Sequence, residues 1–251
     1  MFRQNFHVML TFVLLLYLRL FLEAHAVSDV CNLCRCNDDT TRITCRYLNL
    51  TSVPQNIPHD VKYLDLSYNK ISNIGKESFK NLSSLEELVL SRNEISEIEH
   101  GCFDDLPKLR ILDLSHNQIS NTEQGYFGKL TSLQTLNLRY NVISQIKQRS
   151  FENLPSLRSI SLQSNNISKI EQASFEDLPS LRSIIFSVNR IQKYEDGAFL
   201  FLPSIKKILL YGPYTSSIGV AVLQCLDSRG IEAPILTFTK SSTADMTLSL
   251  V

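Results

Sequence analysis

Apolar residues recur along most of this chain with a period of 24 residues. Each period holds apolar side chains at its positions one, four, six, eleven, fourteen, nineteen and twenty-two. Complete periods begin at Val61, Leu85, Leu109, Leu133, Leu157 and Leu181. Position fourteen departs from the pattern in two of them, where Thr122 and Tyr194 stand. Self-similarity at a fixed period predicts a repeat protein whose units stack side by side over residues 61–204.

Two positions of the period never vary. Position nine is always asparagine: Asn69, Asn93, Asn117, Asn141, Asn165 and Asn189. Position nineteen is always phenylalanine: Phe79, Phe103, Phe127, Phe151, Phe175 and Phe199. Because strand side chains alternate, apolar positions four and six predict a short strand of a parallel sheet, with positions three, five and seven facing outward. The asparagine has a donor and an acceptor for the backbone that turns away from this strand, and the phenylalanine packs the returning side onto the same core.

This pattern resembles the typical 24-residue class of extracellular leucine-rich repeat proteins, over about three quarters of the chain that follows residue 26. The resemblance implies an α/β fold: a solenoid with a curved parallel sheet, an irregular or short helical convex side, and a disulfide-bonded amino-terminal cap. It is similar to the ectodomains of Toll-type receptors and to secreted guidance and matrix proteins, which implies a binding function without choosing a ligand.

Residues 1–26 have the features of a secretory signal peptide. Arg3 precedes an apolar stretch that Arg19 interrupts, and the stretch is followed by a small-x-small sequence that ends at Ala26. A signal anchor is the alternative. No later stretch approaches the roughly 18 apolar residues of a spanning helix, so we expect a secreted, extracellular chain.

Four cysteines precede the first repeat within residues 27–60: Cys31, Cys34, Cys36 and Cys45. Four cysteines allow three pairings, and the sequence alone does not choose among them. A zinc site is the competing interpretation, but an oxidising compartment favours disulfides. The spacing is similar to that of the amino-terminal cap of extracellular leucine-rich repeat proteins, which implies the pairs Cys31–Cys36 and Cys34–Cys45.

The carboxyl end departs from that family, whose members commonly close with a second cysteine-rich cap. Residues 205–239 contain a degenerate repeat, a helical pattern and a strand-like run, which predict a cap without cysteines. Residues 240–251 are expected to be a flexible tail. Cys225 is predicted either to lie under the cap or to link two chains as a dimer, and Cys102 to be a small core residue.

The chain lacks the motifs of enzymes and metal sites. His59, His100 and His116 lie far apart in the repeat, and no phosphate-binding loop or nucleophile motif is present. Its 25 basic and 25 acidic residues balance, which disfavours a strongly basic nucleic-acid binder. We therefore expect no enzyme activity, no cofactor, no metal and no nucleic-acid partner.

Three sequons, at Asn49, Asn81 and Asn166, are glycosylation candidates in a secreted chain. The alternative is an unmodified surface asparagine at each position.

The outward positions of the predicted strands suggest a partner-binding face. Position eight reads Tyr68, Arg92, His116 and Tyr140 over four adjacent strands, with Asp113 and Arg139 beside them. Tyrosine and arginine are frequent binding hot spots, although these residues could also be merely solvated. Towards the carboxyl end this face turns apolar, which predicts cover by the tail or by a partner. The apolar residues are Ile185, Val188, Leu209 and Tyr211.

The sequence thus predicts a secreted, monomeric binding module whose partner is an extracellular protein or a ligand carried by one. A soluble decoy for ligands of Toll-type receptors is the specific version. The alternatives are an adhesion or matrix component, and a truncated receptor product without stable function.

Overall fold

A ten-stranded sheet runs the length of the solenoid in the computed structural model, which describes residues 29–195, 197–199, 202–211 and 245–249. Its strands, in spatial order, are β1 Arg35–Cys36, β2 Arg42–Thr44, β3 Tyr63–Asp65, β5 Glu87–Val89, β7 Ile111–Asp113, β8 Thr135–Asn137, β10 Ser159–Ser161, β12 Ser183–Ile185, β14 Lys207–Tyr211 and β15 Asp245–Ser249. From β2 to β14 all neighbours are parallel, and the repeats pair in a 24-residue register, as in Leu88 with Leu112. The predicted leucine-rich repeat solenoid is confirmed.

The convex side, opposite the exposed face of the large sheet, is irregular. Two-residue strands there form two small sheets: β4 Asn73–Ile74 with β6 Glu97–Ile98, and β9 Gln145–Ile146, β11 Lys169–Ile170 and β13 Lys193–Tyr194. The helix in the described part of the chain, α1 Asp29–Leu33, lies in the cap. Turns and short strands therefore connect the repeats within the described residues.

The phenylalanine column forms a continuous stack inside the solenoid. Neighbouring rings from Phe79 to Phe199 have centroids 5.3 to 6.2 Å apart and are within 23° of parallel. The leucines and isoleucines at position four are fully buried between this stack and the sheet. Thr122, an exception to the apolar pattern, is also fully buried, and its hydroxyl lies 3.0 Å from that of Ser150. This hydrogen bond thus compensates for the cost of burying the Thr122 hydroxyl in the core.

The asparagine column forms a ladder of hydrogen bonds between repeats. Nδ2 of Asn141 donates to the carbonyls of Leu138 and Leu114, both at 3.0 Å, and Oδ1 accepts from the N–H of Ile119 at 3.0 Å. Other ladder asparagines repeat this pattern of two carbonyls and one N–H; one example is Asn165. The predicted use of both donor and acceptor is confirmed.

The cap closes the amino-terminal end of the core. Disulfides join Cys31 to Cys36 and Cys34 to Cys45, as the resemblance implied, so these cysteines form no zinc site. Strand β2 buries Ile43 beside the first repeat. Nδ2 of Asn69 donates to the carbonyl of Cys45 at 2.7 Å, which connects the cap to the asparagine ladder.

The carboxyl end differs from the flexible tail expected over 240–251. Residues 245–249 form strand β15, antiparallel to β14, with Ser249 opposite Lys207 and Asp245 opposite Tyr211. β15 therefore pairs with β14 along the edge that faces away from β12. The predicted signal peptide, Cys225 and most of the predicted carboxyl-terminal cap lie outside the described residues. Val188, in the expected apolar patch, is 47% exposed.

Cys102 is a buried free thiol, as predicted. Burial, followed by the negative charge of Asp104, raises its pKa to about 12, so the thiol is not activated as a nucleophile.

Replacing Cys34 and Cys45 together by Ser should lower the free energy of unfolding by about 2–5 kcal/mol, because this disulfide restricts the unfolded chain. The matched control is the Cys31–Cys36 pair, which closes a loop of 5 rather than 11 residues and should have the smaller effect on chain entropy. Denaturant unfolding measures both. An unchanged unfolding midpoint in the first variant would contradict a stabilising role for the disulfide.

Asn141→Ala should cost about 1–3 kcal/mol, since two buried carbonyls and one N–H lose their partner. Asn141→Asp should be no better, because a carboxylate cannot donate to the carbonyls. Gln118→Ala, on an exposed neighbouring residue, is the control and should unfold like the parent in the same thermal melts. If both Asn141 variants were as stable as the parent, the hydrogen bonds of Asn141 would not contribute to the stability of the fold.

Candidate partner-binding face

Position eight of each repeat is the point at which the chain leaves the strand. Tyr68, Arg92, His116 and Tyr140 all have left-handed backbones there, with φ between 54° and 58°. Their N–H groups donate to carbonyls of the next repeat, for example Tyr68 to Ser91 at 3.0 Å. A left-handed backbone is uncommon outside glycine, and here it reverses the chain so that the following asparagine enters the ladder. The same geometry places the four side chains in one row.

The structure brings the residues of this predicted row into contact. The guanidinium of Arg92 lies 5.1 Å from the ring centroid of Tyr68. The rings of His116 and Tyr140 stack with centroids 4.2 Å apart and planes 14° from parallel, and the guanidinium of Arg139 lies 5.9 Å from the Tyr140 centroid. Asp113 lies at the end of β7 and accepts a hydrogen bond from the N–H of Ser115 at 2.9 Å. Tyr140 is 45% exposed.

The cap extends this row by residues that the sequence analysis did not identify. Tyr47 also has a left-handed backbone, with φ 60°, and its ring stacks on Tyr68 at 4.4 Å. The guanidinium of Arg46 lies 5.1 Å from the Tyr68 centroid and its Nε lies 3.6 Å from a carboxylate oxygen of Asp65. We call Tyr47, Tyr68, Arg92, His116 and Tyr140 the aromatic row.

A spacing of 21 residues explains why Tyr47 escaped the sequence analysis. Ile43 of the cap pairs with Leu64 of the first repeat, 21 residues later. The same offset places Tyr47 of the cap at the position that corresponds to Tyr68, which is position eight. A search at a strict period of 24 does not align the two. The sequence signal was present in the alternation of Ile43 and Cys45, which corresponds to positions four and six.

The row carries positive charge next to neutral rings. Burial, together with the cations of Arg92 and then Arg139, lowers the pKa of His116, and Asp113 opposes this only in part. The pKa of Tyr47 is raised by partial desolvation and by the neighbouring hydroxyl of Tyr68. These directions favour the uncharged forms of His116 and Tyr47, so the positive charge of the row comes from its arginines. Such a row can bind carboxylates and apolar groups of a partner together.

Metal-ligand groups and membrane-spanning helices are both absent from the described residues. They contain no group of three or more His, Cys, Asp or Glu that could hold a metal ion, and within them no helix is long and apolar enough to cross a membrane. The sequon residues Asn49, Asn81 and Asn166 are all exposed, so their glycosylation stays a prediction.

Three overlapping stretches, residues 59–119, 107–167 and 155–212, match the model of the leucine rich repeat family. The chain belongs to this family. Together the matches cover the aromatic row apart from Tyr47.

Relatives in this family include matrix and receptor proteins. The chain is 44% identical over 62 residues to biglycan of Xenopus laevis, which is 24% of this chain and 16% of biglycan. It is 44% identical over 48 residues to human Toll-like receptor 9, which is 19% of this chain and 5% of the receptor. Asporin of Bos taurus is 47% identical over 47 residues, 19% of this chain and 13% of asporin. The matches thus span small parts of these proteins.

Among solved structures, the fold is similar to that of Toll-like receptor 13 in a complex with single-stranded RNA. The TM-score is 0.58 and the identity 26%, over 72% of this chain and 28% of the receptor chain. The likeness covers most of the solenoid but a minor part of the receptor.

The environment of His116 can be tested by following its ring signals by NMR during a pH titration. We expect a midpoint below the ordinary value of about 6.5. Arg92→Ala should raise this midpoint, because a cation that disfavours protonation is removed. Arg190→Ala, which removes an exposed cation from another part of the solenoid, is the control and should leave the midpoint unchanged. An Arg92→Ala midpoint equal to that of the parent would contradict the proposed coupling.

Proposed function

We propose that this chain is a secreted, non-enzymatic protein that captures an extracellular protein partner on the aromatic row. The observation that carries the proposal is the row itself. Five side chains at the same turn of adjacent strands form two contacting groups, Tyr47 with Tyr68 and Arg92, and His116 with Tyr140, and none of them is among the buried core residues. Exposed tyrosine and arginine concentrated in one place favour a binding surface over ordinary solvated positions.

A protein partner fits the surroundings of the row better than a nucleic acid does. Asp113 lies at the end of β7, beside the row, and its carboxylate would repel a phosphate backbone. A protein surface can instead offer a donor to this carboxylate, and its own carboxylates to Arg92 and Arg139. The RNA in the Toll-like receptor 13 complex is therefore not transferred to this site.

A soluble decoy is the specific role that we propose first. The similarity to Toll-like receptor 9 supports it, because a chain with the same kind of binding face can compete for the same class of ligand. The similarity to biglycan and asporin favours a matrix component as the second candidate. A decoy would be monomeric and free in extracellular fluid, whereas a matrix component would resist extraction.

The third interpretation, a truncated receptor product without stable function, makes a different experimental prediction. Such a product would aggregate or be retained in the cell. Two cap disulfides and a buried core that extends from Val30 to Ile208 support a chain that folds stably instead.

The test begins with affinity capture from extracellular fluid by the purified protein, followed by titration of the captured partner. Replacing Arg92 and Tyr140 together by Ala should weaken binding by more than about 2 kcal/mol, because both side chains would lie at the interface. The fold should remain, since both residues are exposed.

Lys129→Ala with Glu152→Ala on the convex side is the matched control. These residues make surface ion pairs with Asp104 and Arg149, and Glu152 also accepts a hydrogen bond from the exposed Gln124. Their loss should not change the affinity. Equal affinities for the parent and the Arg92 and Tyr140 variant would move the binding site away from the aromatic row.

A further inference from the structure

Charges on the exposed sheet face are divided between the two halves of the solenoid. We compare positions one to eight of successive repeats. The first three segments, which begin at residues 61, 85 and 109, carry both signs of charge: the carboxylates are Asp65, Glu86, Glu87 and Asp113, and the cations are Lys62, Arg92 and Arg110. The next four, which begin at residues 133, 157, 181 and 205, carry no carboxylate through residue 211 and five cations: Arg139, Arg158, Arg182, Lys206 and Lys207. The later half therefore has a positive field that no acidic residue of these segments offsets.

Three of these cations lie on consecutive rungs at the start of the strands. The N–H of Lys206 donates to the carbonyl of Arg182, and the N–H of Arg182 donates to that of Arg158, both at 2.9 Å. Neighbouring rungs of a sheet are about 5 Å apart, so the three side chains occupy about 10 Å of one edge. Lys207 stands next to them at the start of β14. We call Arg158, Arg182, Lys206 and Lys207 the basic edge.

No ion pair within 4.0 Å joins the basic edge to a carboxylate among the described residues, and all four side chains are exposed. Several cations elsewhere are paired, such as Lys129 with Asp104 at 2.6 Å and Lys169 with Glu195 at 2.8 Å. Four like charges so close together repel one another and give the fold no evident benefit. An external anion would relieve that repulsion.

Hydroxyl donors and an apolar groove lie beside the basic edge, which suits an anionic sugar chain. Ser156, Ser180 and Ser204 precede the edge residues by two positions, and their hydroxyls are partly exposed donors. A groove of about 760 Å³ lies three residues earlier in each repeat, where Pro155, Pro179 and Pro203 line it. Asp177 also lines this groove but forms no ion pair with the edge in the described structure. Apolar proline rings suit the C–H faces of sugar rings.

A single-stranded nucleic acid fits this edge less well. Sequence-independent binding of such strands relies on aromatic rings on which bases stack. The outward strand positions next to the edge are Ser159, Ser183 and Lys207, and the nearest aromatic residue of the row, Tyr140, stands at the opposite end of its strand. The predicted glycan at Asn166 also leaves the basic edge open, because Asn166 follows strand β10 whereas Arg158 of the edge precedes it.

We propose that the basic edge binds a sulfated polysaccharide, with Arg158, Arg182 and Lys206 contacting successive sulfate groups. This site is separate from the aromatic row and does not depend on the protein partner proposed above.

The test measures binding of the full secreted protein to immobilised heparin over a range of salt concentrations. The edge variant carries Arg158→Gln, Arg182→Gln and Lys206→Gln. The matched control carries Lys70→Gln, Lys76→Gln and Arg190→Gln, which remove three exposed cations that form no ion pair with a described residue and lie in other parts of the solenoid. Both variants have the same net charge, so only the position of the charge differs. Thermal melts confirm that both fold like the parent.

We expect the edge variant to bind heparin at least about tenfold more weakly than the control at physiological salt. We also expect the slope of log affinity against log salt to fall by about 2–3, because three ionic contacts are lost. Desulfated heparin should bind the parent poorly. The proposal is overturned if the control loses as much affinity as the edge variant, if desulfated heparin binds equally well, or if polyuridylate binds more tightly than heparin.

Discussion

The fold depends on satisfying the backbone of strands that are only three residues long. Such strands end almost at once, and the chain must turn inside a stack of repeats where water cannot reach its polar groups. The asparagine at position nine solves this by bonding two carbonyls and one N–H, as Asn141 does with Leu138, Leu114 and Ile119. The bonds to Leu114 and Ile119 also tie this repeat to the previous one, which makes the array rather than the single repeat the stable unit.

The geometry of the proposed binding face follows from the same constraint. For the asparagine to enter the ladder, the residue before it adopts a left-handed backbone, whatever its side chain. Even Val188, whose branched side chain disfavours that conformation, has φ 59° there. The backbone conformation of position eight is therefore fixed. The type of its side chain can vary, because that side chain lies outside the core. In this chain that position carries the residues of the aromatic row, on a backbone conformation that the core requires.

The sequence predicted those features that repeat. Phe151 and Asn141 stand in columns whose invariance reflects burial, so their roles could be read from spacing alone. Tyr47 could not, because the cap unit is 21 residues long and a 24-residue comparison misaligns it. Strand β15 was missed for another reason: residues 245–249 contain too few apolar positions to reveal pairing with an edge that exists only once the array is assembled. The stacking of His116 on Tyr140 likewise depends on left-handed backbone geometry that no sequence pattern displays.

The two proposed sites lie at opposite ends of the strands. Position two and position eight are separated by six residues, about 20 Å along an extended chain, so a polysaccharide on the basic edge would leave the aromatic row open. A protein held on a polysaccharide would then present its row at a high local concentration to partners bound to the same matrix. This arrangement bears on the choice between a decoy and a matrix component. A freely diffusing decoy gains nothing from a sulfate-binding edge, whereas a protein that works within a matrix gains both retention and proximity.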